Sequence, residues 1–192
     1  MSYELLARIA EARGLALRGG FHPAPDDHVP DLPDQTPPGT LLMLGWTGSR
    51  QWPVFAASAE YGDGASHPLD RWSRRIIGAM AHEFGGIALY PFGGPPHRPF
   101  LRWAQRAEAL SPSPLGLLVH PDWGLWHAWR GALALSTRLR LPPPDTRLSP
   151  CSACPTQPCR RPRDFEAARA ACPVGTPYSP CQDAFHRKAA GR

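Results

Sequence analysis

The sequence predicts an α+β fold: one main sheet flanked by helices, with a short cysteine-rich appendage at the C-terminal end. Three observations predict it. Apolar runs at residues 40–46, 87–92 and 125–135 have the length of buried strands. Residues 68–84 carry apolar side chains at three- and four-residue steps, the spacing of an amphipathic helix. All five cysteines fall after residue 150, beyond the stiff linker Pro142-Pro143-Pro144.

Taken in order, residues 2–13 place Leu5, Leu6, Ile9 and Ala10 on one helical face, and Gly14 stops the helix. Residues 20–39 are rich in Pro and Asp and read as a loop. TLLMLGW (40–46) reads as a buried strand. In residues 68–84, Leu69, Trp72, Ile76, Ile77, Met80, Ala81 and Phe84 form the apolar stripe, and Gly85-Gly86 ends the helix. IALYPF (87–92) is a strand, FGGPPHRP (92–99) a rigid loop, and residues 100–110 a second helix. LGLLVH (115–120), the turn PDWG and LWHAWRGALAL (125–135) then read as a β-hairpin. A short helical stretch is expected near Asp164–Ala171. Residues 1–141 form the core and 142–192 the appendage. The appendage is too short and too poor in apolar residues to fold alone, so it needs the core or a metal to order it.

Composition bounds the function. Of 192 residues, 42% are hydrophobic, enough for a core, and 25 are proline, far above the usual ~5%, which implies long stiff loops. The formal charge is +5, and of 21 basic residues Lys188 is the one lysine. The arginines are spread along the chain, with only short groups such as Arg160, Arg161 and Arg163. That spread fits a GC-rich coding bias better than a nucleic-acid face. No leader segment and no run of ~18 apolar residues is visible, so a cytoplasmic protein without a membrane partner is expected. A homodimer is compatible with this composition. No G-x-S-x-G, P-loop or H-E-x-x-H motif is present. His22, His28, His97 and His186 lie in Pro-rich or terminal segments and are expected to be solvated.

Residues 113–135 gather Trp123, Trp126, Trp129, His120 and His127 around one tight turn. Singly, each is expected in a core. Together, aromatics this dense on a turn suggest a flat apolar surface for a large planar ligand, such as a flavin or a tetrapyrrole-type macrocycle.

The segment GLLVHPDWGLWHAWRGALAL resembles the cobalamin-processing MMACHC (CblC) family at His120, Pro121, Trp123, Gly124, Trp126, Ala128, Arg130 and Gly131. HPLDRWSRRIIGAMA (67–81) is similar to an upstream segment of that family. The order of hairpin, Pro-rich linker and cysteine motif is similar to epoxyqueuosine reductase, a cobalamin enzyme of related fold. The resemblance covers roughly residues 65–175. It implies a flavin-reductase/nitroreductase-like fold and a corrinoid (cobalamin) held over the sheet for reductive chemistry. His120, Pro121, Trp123, Gly124, Trp126 and Trp129 would line its pocket, with Phe92, Gly93 and Gly94 as another wall. A donor protein or a thiol reductant would supply electrons. One departure is plain: ALYPFGGPP (88–96) has no carboxylate where epoxyqueuosine reductase carries its proton donor, which argues against the same tRNA chemistry.

The cysteines read Cys151-x2-Cys154-x4-Cys159, then Cys172-Pro173, then Cys181. A bacterial ferredoxin run is C-x2-C-x2-C-x3-C-P, so the third cysteine comes two residues late and the fourth is distant. Cys151, Cys154, Cys159 and Cys172 could wrap one [4Fe–4S] cluster. A four-cysteine zinc site and unligated thiols remain open, with Cys181 spare. The leading expectation is therefore a corrinoid-binding protein acting in reductive cobalamin processing or cobalamin-dependent reduction. The alternatives are a ferredoxin-like electron carrier, a flavin-dependent reductase, and an interaction module with a zinc-bound tail.

Overall fold

The computed structural model describes residues 1–143, 145–161 and 165–189. Pro144 of the linker, Arg163 of the basic group and Asp164 of the expected tail helix lie outside the described residues. Among the described residues, thirteen helices and strands follow in chain order: α1 (Tyr3–Ala12), β1 (Ala16–Phe21), β2 (Thr40–Thr47), α2 (Trp52–Ala56), α3 (Ala59–Gly62), α4 (Pro68–Glu83), β3 (Ile87–Leu89), α5 (Phe100–Ala107), β4 (Ser111–Pro112), β5 (Leu118–Val119), β6 (His127–Leu135), α6 (Phe165–Ala170) and α7 (Pro180–Ala189). Short 3-10 turns sit at Pro25–Asp27 and Pro158–Arg160. The fold is α+β. Among the described residues, no helix is long and apolar enough to cross a membrane.

The main sheet has the order β1-β2-β6-β3, with every neighbouring pair antiparallel. Strand β2 is buried along its whole length, and side-chain alternation splits it between two cores. Leu42, Leu44 and Trp46 face α1 and α4, together with Leu133 and Leu135 of β6 and Trp72, Ile77 and Met80 of α4. Leu41 and Met43 join Ala132 and Ala134 on the opposite face, where Phe100, Trp103 and Ala104 of α5 pack. The alanines of β6 leave room for the fully buried Trp103, whose indole N–H donates to the Asp27 carbonyl at 2.9 Å.

Local chemistry sets the helix ends. Ser2 caps α1, its hydroxyl accepting from the Leu5 N–H at 3.2 Å. Pro68 occupies the first turn of α4, where its missing N–H costs nothing. Helix α4 ends at Glu83, with Phe84 as its C-cap just before the Gly85-Gly86 stop read from the sequence.

The structure departs from the sequence reading in three places. Strand β1 occupies residues 16–21, where LALRGGF carries a charge and two glycines and shows no clean alternation. Its Arg18 is a core residue, 2% exposed. Strand β3 stops at Leu89 and pairs only with Ala132–Ala134. The expected hairpin at 115–135 is not one: β5 pairs with β4 in a separate two-stranded sheet, while β6 pairs with β2 and β3. One isolated bridge, His120 to Gly124, joins the two arms. The residue spacing suited a hairpin, but the longer partner β2 outcompeted a two-residue strand for β6.

The C-terminal segment is ordered largely by the core. Phe185 of α7 lies 5.3 Å from both Trp52 and Phe55 and 5.7 Å from Tyr61, extending the aromatic cluster around Trp46. The Ser179 N–H donates to the Ser49 hydroxyl at 2.7 Å, and the fully buried Gln182 reaches the Gly48 carbonyl at 3.5 Å. Truncating Phe185 to Ala removes this anchor and should cost about 2–3 kcal/mol, the low end for a partly buried phenylalanine. Urea unfolding followed by tryptophan fluorescence measures it; an unchanged midpoint would show that α7 is not part of the cooperative unit.

Candidate cofactor cavity and cysteine site

Because β3 stops early, the first half of β6 has no strand on that side. His127–Arg130 are half-buried, whereas Gly131–Leu135 are buried. A cavity of about 920 Å³ opens there. Its floor is Leu125–Trp129 with Leu117 and Leu118, and its opposite wall is α6, Tyr178 and α7. Leu101 and Phe165, two of the most exposed large apolar residues in the chain, lie at its edge. The wall is held together by aromatic contacts. Trp126 meets Tyr178 edge-on at 5.3 Å, and the Arg169 guanidinium lies 4.1 Å over Trp126 and 4.4 Å over Tyr178.

Behind the floor lies a buried ion network that the sequence reading missed. Arg18 donates from Nε and Nη2 to the two oxygens of Glu108, at 3.0 and 2.5 Å. Its Nη1 reaches His127 Nδ1 at 2.9 Å and the Trp46 carbonyl at 3.4 Å. The guanidinium stacks 3.9 Å from the Trp129 ring centroid and 5.5 Å from that of Trp123. Since arginine can only donate, His127 Nδ1 accepts, and its Nε2–H donates to the Leu118 carbonyl at 3.0 Å. Burial, reinforced by the Arg18 charge, pulls the His127 pKa down to about 3. His127 is thus a neutral imidazole with both nitrogens engaged.

His120 is likewise internal. Its Nδ1 accepts from the Asp122 and Trp123 N–H groups at 3.0 and 3.4 Å, and its ring stacks on Trp123 at 3.9 Å. Burial first, then Arg18, lowers its pKa to about 4. His120 and Trp123 therefore brace the turn and the Arg18 network, and neither borders the large cavity.

The remaining expected residues distribute as follows. Trp126 and Trp129 line the cavity. Gly124 touches the cysteine segment: a Cβ there would collide with the Val174 carbonyl, and one on Gly175 with the Trp123 carbonyl. Both glycines have positive φ, +55° and +85°, so the close approach and the backbone conformation each demand glycine. Pro121 borders a smaller pocket of about 610 Å³ beside the cysteine loop. Phe92 stacks on Tyr90 at 5.3 Å, under Arg74; Phe92, Gly93 and Gly94 lie away from the cavity. His186, expected in solvent, instead lines the cavity, with its Nε2 sheltered and without a hydrogen-bond partner among the described residues. Burial, then Arg130 and Arg169, bring its pKa to about 4. The available signal was Gln182, Phe185 and His186 at helical spacing; Arg169 and Tyr178 gave none.

Cys159 is buried in the 3-10 turn at Pro158–Arg160, Cys151, Cys154 and Cys172 are half-buried, and Cys181 is exposed on α7. Burial raises the Cys151 pKa, and the thiols of Cys172, Cys159 and Cys154 raise it further, so these four share one neighbourhood. Among the described residues, no three Cys, His, Asp or Glu side chains converge at metal-ligand distance. As they stand, the four thiols are neighbours but are not arranged as a cluster site.

Two outcomes follow from the Arg18 network. Glu108→Gln leaves the Arg18 cation buried without its counter-charge and should cost about 3–5 kcal/mol in urea unfolding; a loss below 1 kcal/mol would mean that Glu108 is not its essential partner. The second concerns pH. His120, His127 and His186 have folded pKa values far below the usual ~6.5. Unfolding therefore takes up protons below pH ~6.5, and the stability these groups contribute at neutral pH is lost as pH falls toward 4. The urea midpoint should be lower at pH 5 than at pH 7, and His127→Gln should flatten that slope. Searched against protein-family models and against curated proteins, the chain matches none.

Proposed function

We propose that this chain binds a corrinoid in the cavity between β6 and the C-terminal helices, and that Cys151, Cys154, Cys159 and Cys172 hold a [4Fe–4S] cluster beside it. It would act in the cytoplasm in reductive cobalamin processing or cobalamin-dependent reduction. The observation that carries this reading is the cavity itself. At about 920 Å³ it lies near the top of the ~300–1,000 Å³ range of organic-ligand sites, and Trp126, one of the positions that resemble the MMACHC segment, lies in its floor with Trp129.

Its residues suit a large planar ring. Trp126 and Trp129 offer aromatic surface, Leu117, Leu118 and Leu125 exclude water, and Arg18 behind Trp129 fixes that ring's position. His186 Nε2 is a sheltered polar atom, neutral at pH 7 and without a partner among the described residues, and so is suited to meet a ligand. The cysteine segment abuts the Trp123-Gly124 turn that leads into Trp126, so thiols and cavity share one structural hinge. A bound corrinoid would supply a reducible cobalt, and a bound cluster single electrons drawn from a donor protein or thiol reductant. One antiparallel sheet with helices on both faces is in keeping with the flavin-reductase-like fold that the resemblance implies. The same aromatic floor would also take an isoalloxazine, which keeps a flavin-dependent reductase as the second reading.

Mixing purified protein with hydroxocobalamin tests the proposal. A shifted visible spectrum and pigment retained through desalting are expected, with Trp126→Ala and Trp129→Ala each weakening binding about ten-fold. Colourless protein after desalting would overturn the corrinoid reading, and retained FMN would favour the flavin. Anaerobic reconstitution should load iron and sulfide that Cys159→Ser fails to hold. Zinc without iron would instead indicate an interaction module, and iron without corrinoid an electron carrier.

A further inference from the structure

We infer that Arg169 reads a phosphate-class anionic arm on the planar ligand of this cavity. The inference rests on the cavity being a ligand site and adds a specificity determinant that the sequence motifs do not contain.

Arg169 projects from α6 into the cavity wall, with its guanidinium packed against Trp126 and Tyr178 at 4.1 and 4.4 Å. Its Nε donates to the Leu125 carbonyl at 3.0 Å. That bond and the two rings fix the plane and direction of the fork. The Nη1 and Nη2 groups remain, and among the described residues no carboxylate lies within ion-pair distance of them. The acids of the same wall are engaged elsewhere: Asp183 and Glu166 lie 2.8 and 3.8 Å from Arg187. The cavity's histidines do not offset the charge either. His127 and His186 are neutral, mainly through burial, and Arg169 itself adds to that depression.

A cation in an apolar wall without a counter-ion is costly, and the cost falls when an anion arrives. A guanidinium already held between two rings loses little freedom on binding, and its end-on pair of NH₂ groups matches two oxygens of a phosphate. A ring seated in the cavity beside Arg169 would bring an anionic substituent within reach of this fork. A purely structural Arg169, tying α6 to residue 125, would affect every ligand alike. A phosphate-reading Arg169 affects ligands that carry the anion more than those that lack it.

Two ligand pairs separate these cases, cobinamide phosphate against cobinamide and FMN against riboflavin, the members of each differing only by the phosphate. Quenching of tryptophan fluorescence gives each Kd for wild type, Arg169→Gln and Arg169→Lys. In whichever ring system binds, the phosphate-bearing member should bind at least about ten-fold tighter to wild type. Arg169→Gln should weaken the phosphate-bearing member by the larger factor and so close most of that gap, and Arg169→Lys should restore part of it. Equal wild-type affinities within the pair that binds would overturn the inference, a comparison that needs no variant to fold. A gap that survives Arg169→Gln, or an equal loss for both members, would also overturn it. Corrinoids bound without a gap would remove this role and leave the corrinoid reading standing. A gap confined to the flavins would do the reverse. Binding of none of the four would overturn both.

Discussion

Arg18 has five N–H donors and only 2% exposure, so it must satisfy its charge without bulk water. It does so on several segments at once. Glu108 follows α5, Trp46 belongs to β2, and His127 and Trp129 to β6, while Trp123 comes from the turn before β6. Bending any one segment away would strand a buried cation. The arrangement thus fixes the start of β6 relative to the rest of the sheet, locks His127 in one tautomer, and holds Trp129 at the cavity floor. The cavity floor inherits its rigidity from a residue that does not border the large cavity.

The second constraint is the meeting of two glycines. Gly124 and Gly175 let the Trp123-Gly124 turn and the Val174-Gly175 segment approach backbone to backbone. From that contact the chain runs through Tyr178, against Trp126, into α7, where Phe185 enters the aromatic cluster. The C-terminal segment is accordingly not a free appendage. It supplies one whole wall of the cavity and sets the cysteine segment against the turn that leads into the cavity floor.

Much of this was legible where one element's burial decides its pattern. Residues 3–12, 40–47 and 68–83 carry their periodicities undisturbed because each buries one face or one whole strand. Legibility failed where polar residues are internal. Arg18 and the two glycines of β1 disguise a strand, because the pairing of a buried charge with Glu108, ninety residues away, leaves no local trace. The hairpin reading of 115–135 failed for a related reason: turn chemistry specifies a reversal but not which strands pair, and β2 offered β6 a longer partner. Among the candidate ligand residues, Trp126 and Trp129 reach the cavity while His120 and Trp123 lie behind it, a division that spacing around one turn does not encode.

By itself the sequence determined the α+β alternation, the main amphipathic helix, the aromatic-rich segment and the grouping of Cys151, Cys154, Cys159 and Cys172, since each is written in neighbouring residues or their spacing. Only the tertiary structure decided which face of the aromatic segment is open, which histidines are neutral and engaged, and that Arg169, Tyr178 and His186 close the cavity from the far end of the chain. The physical reason is that burial and charge pairing act between segments distant in sequence, so the same side chain is a core brace or a ligand contact according to what folds against it.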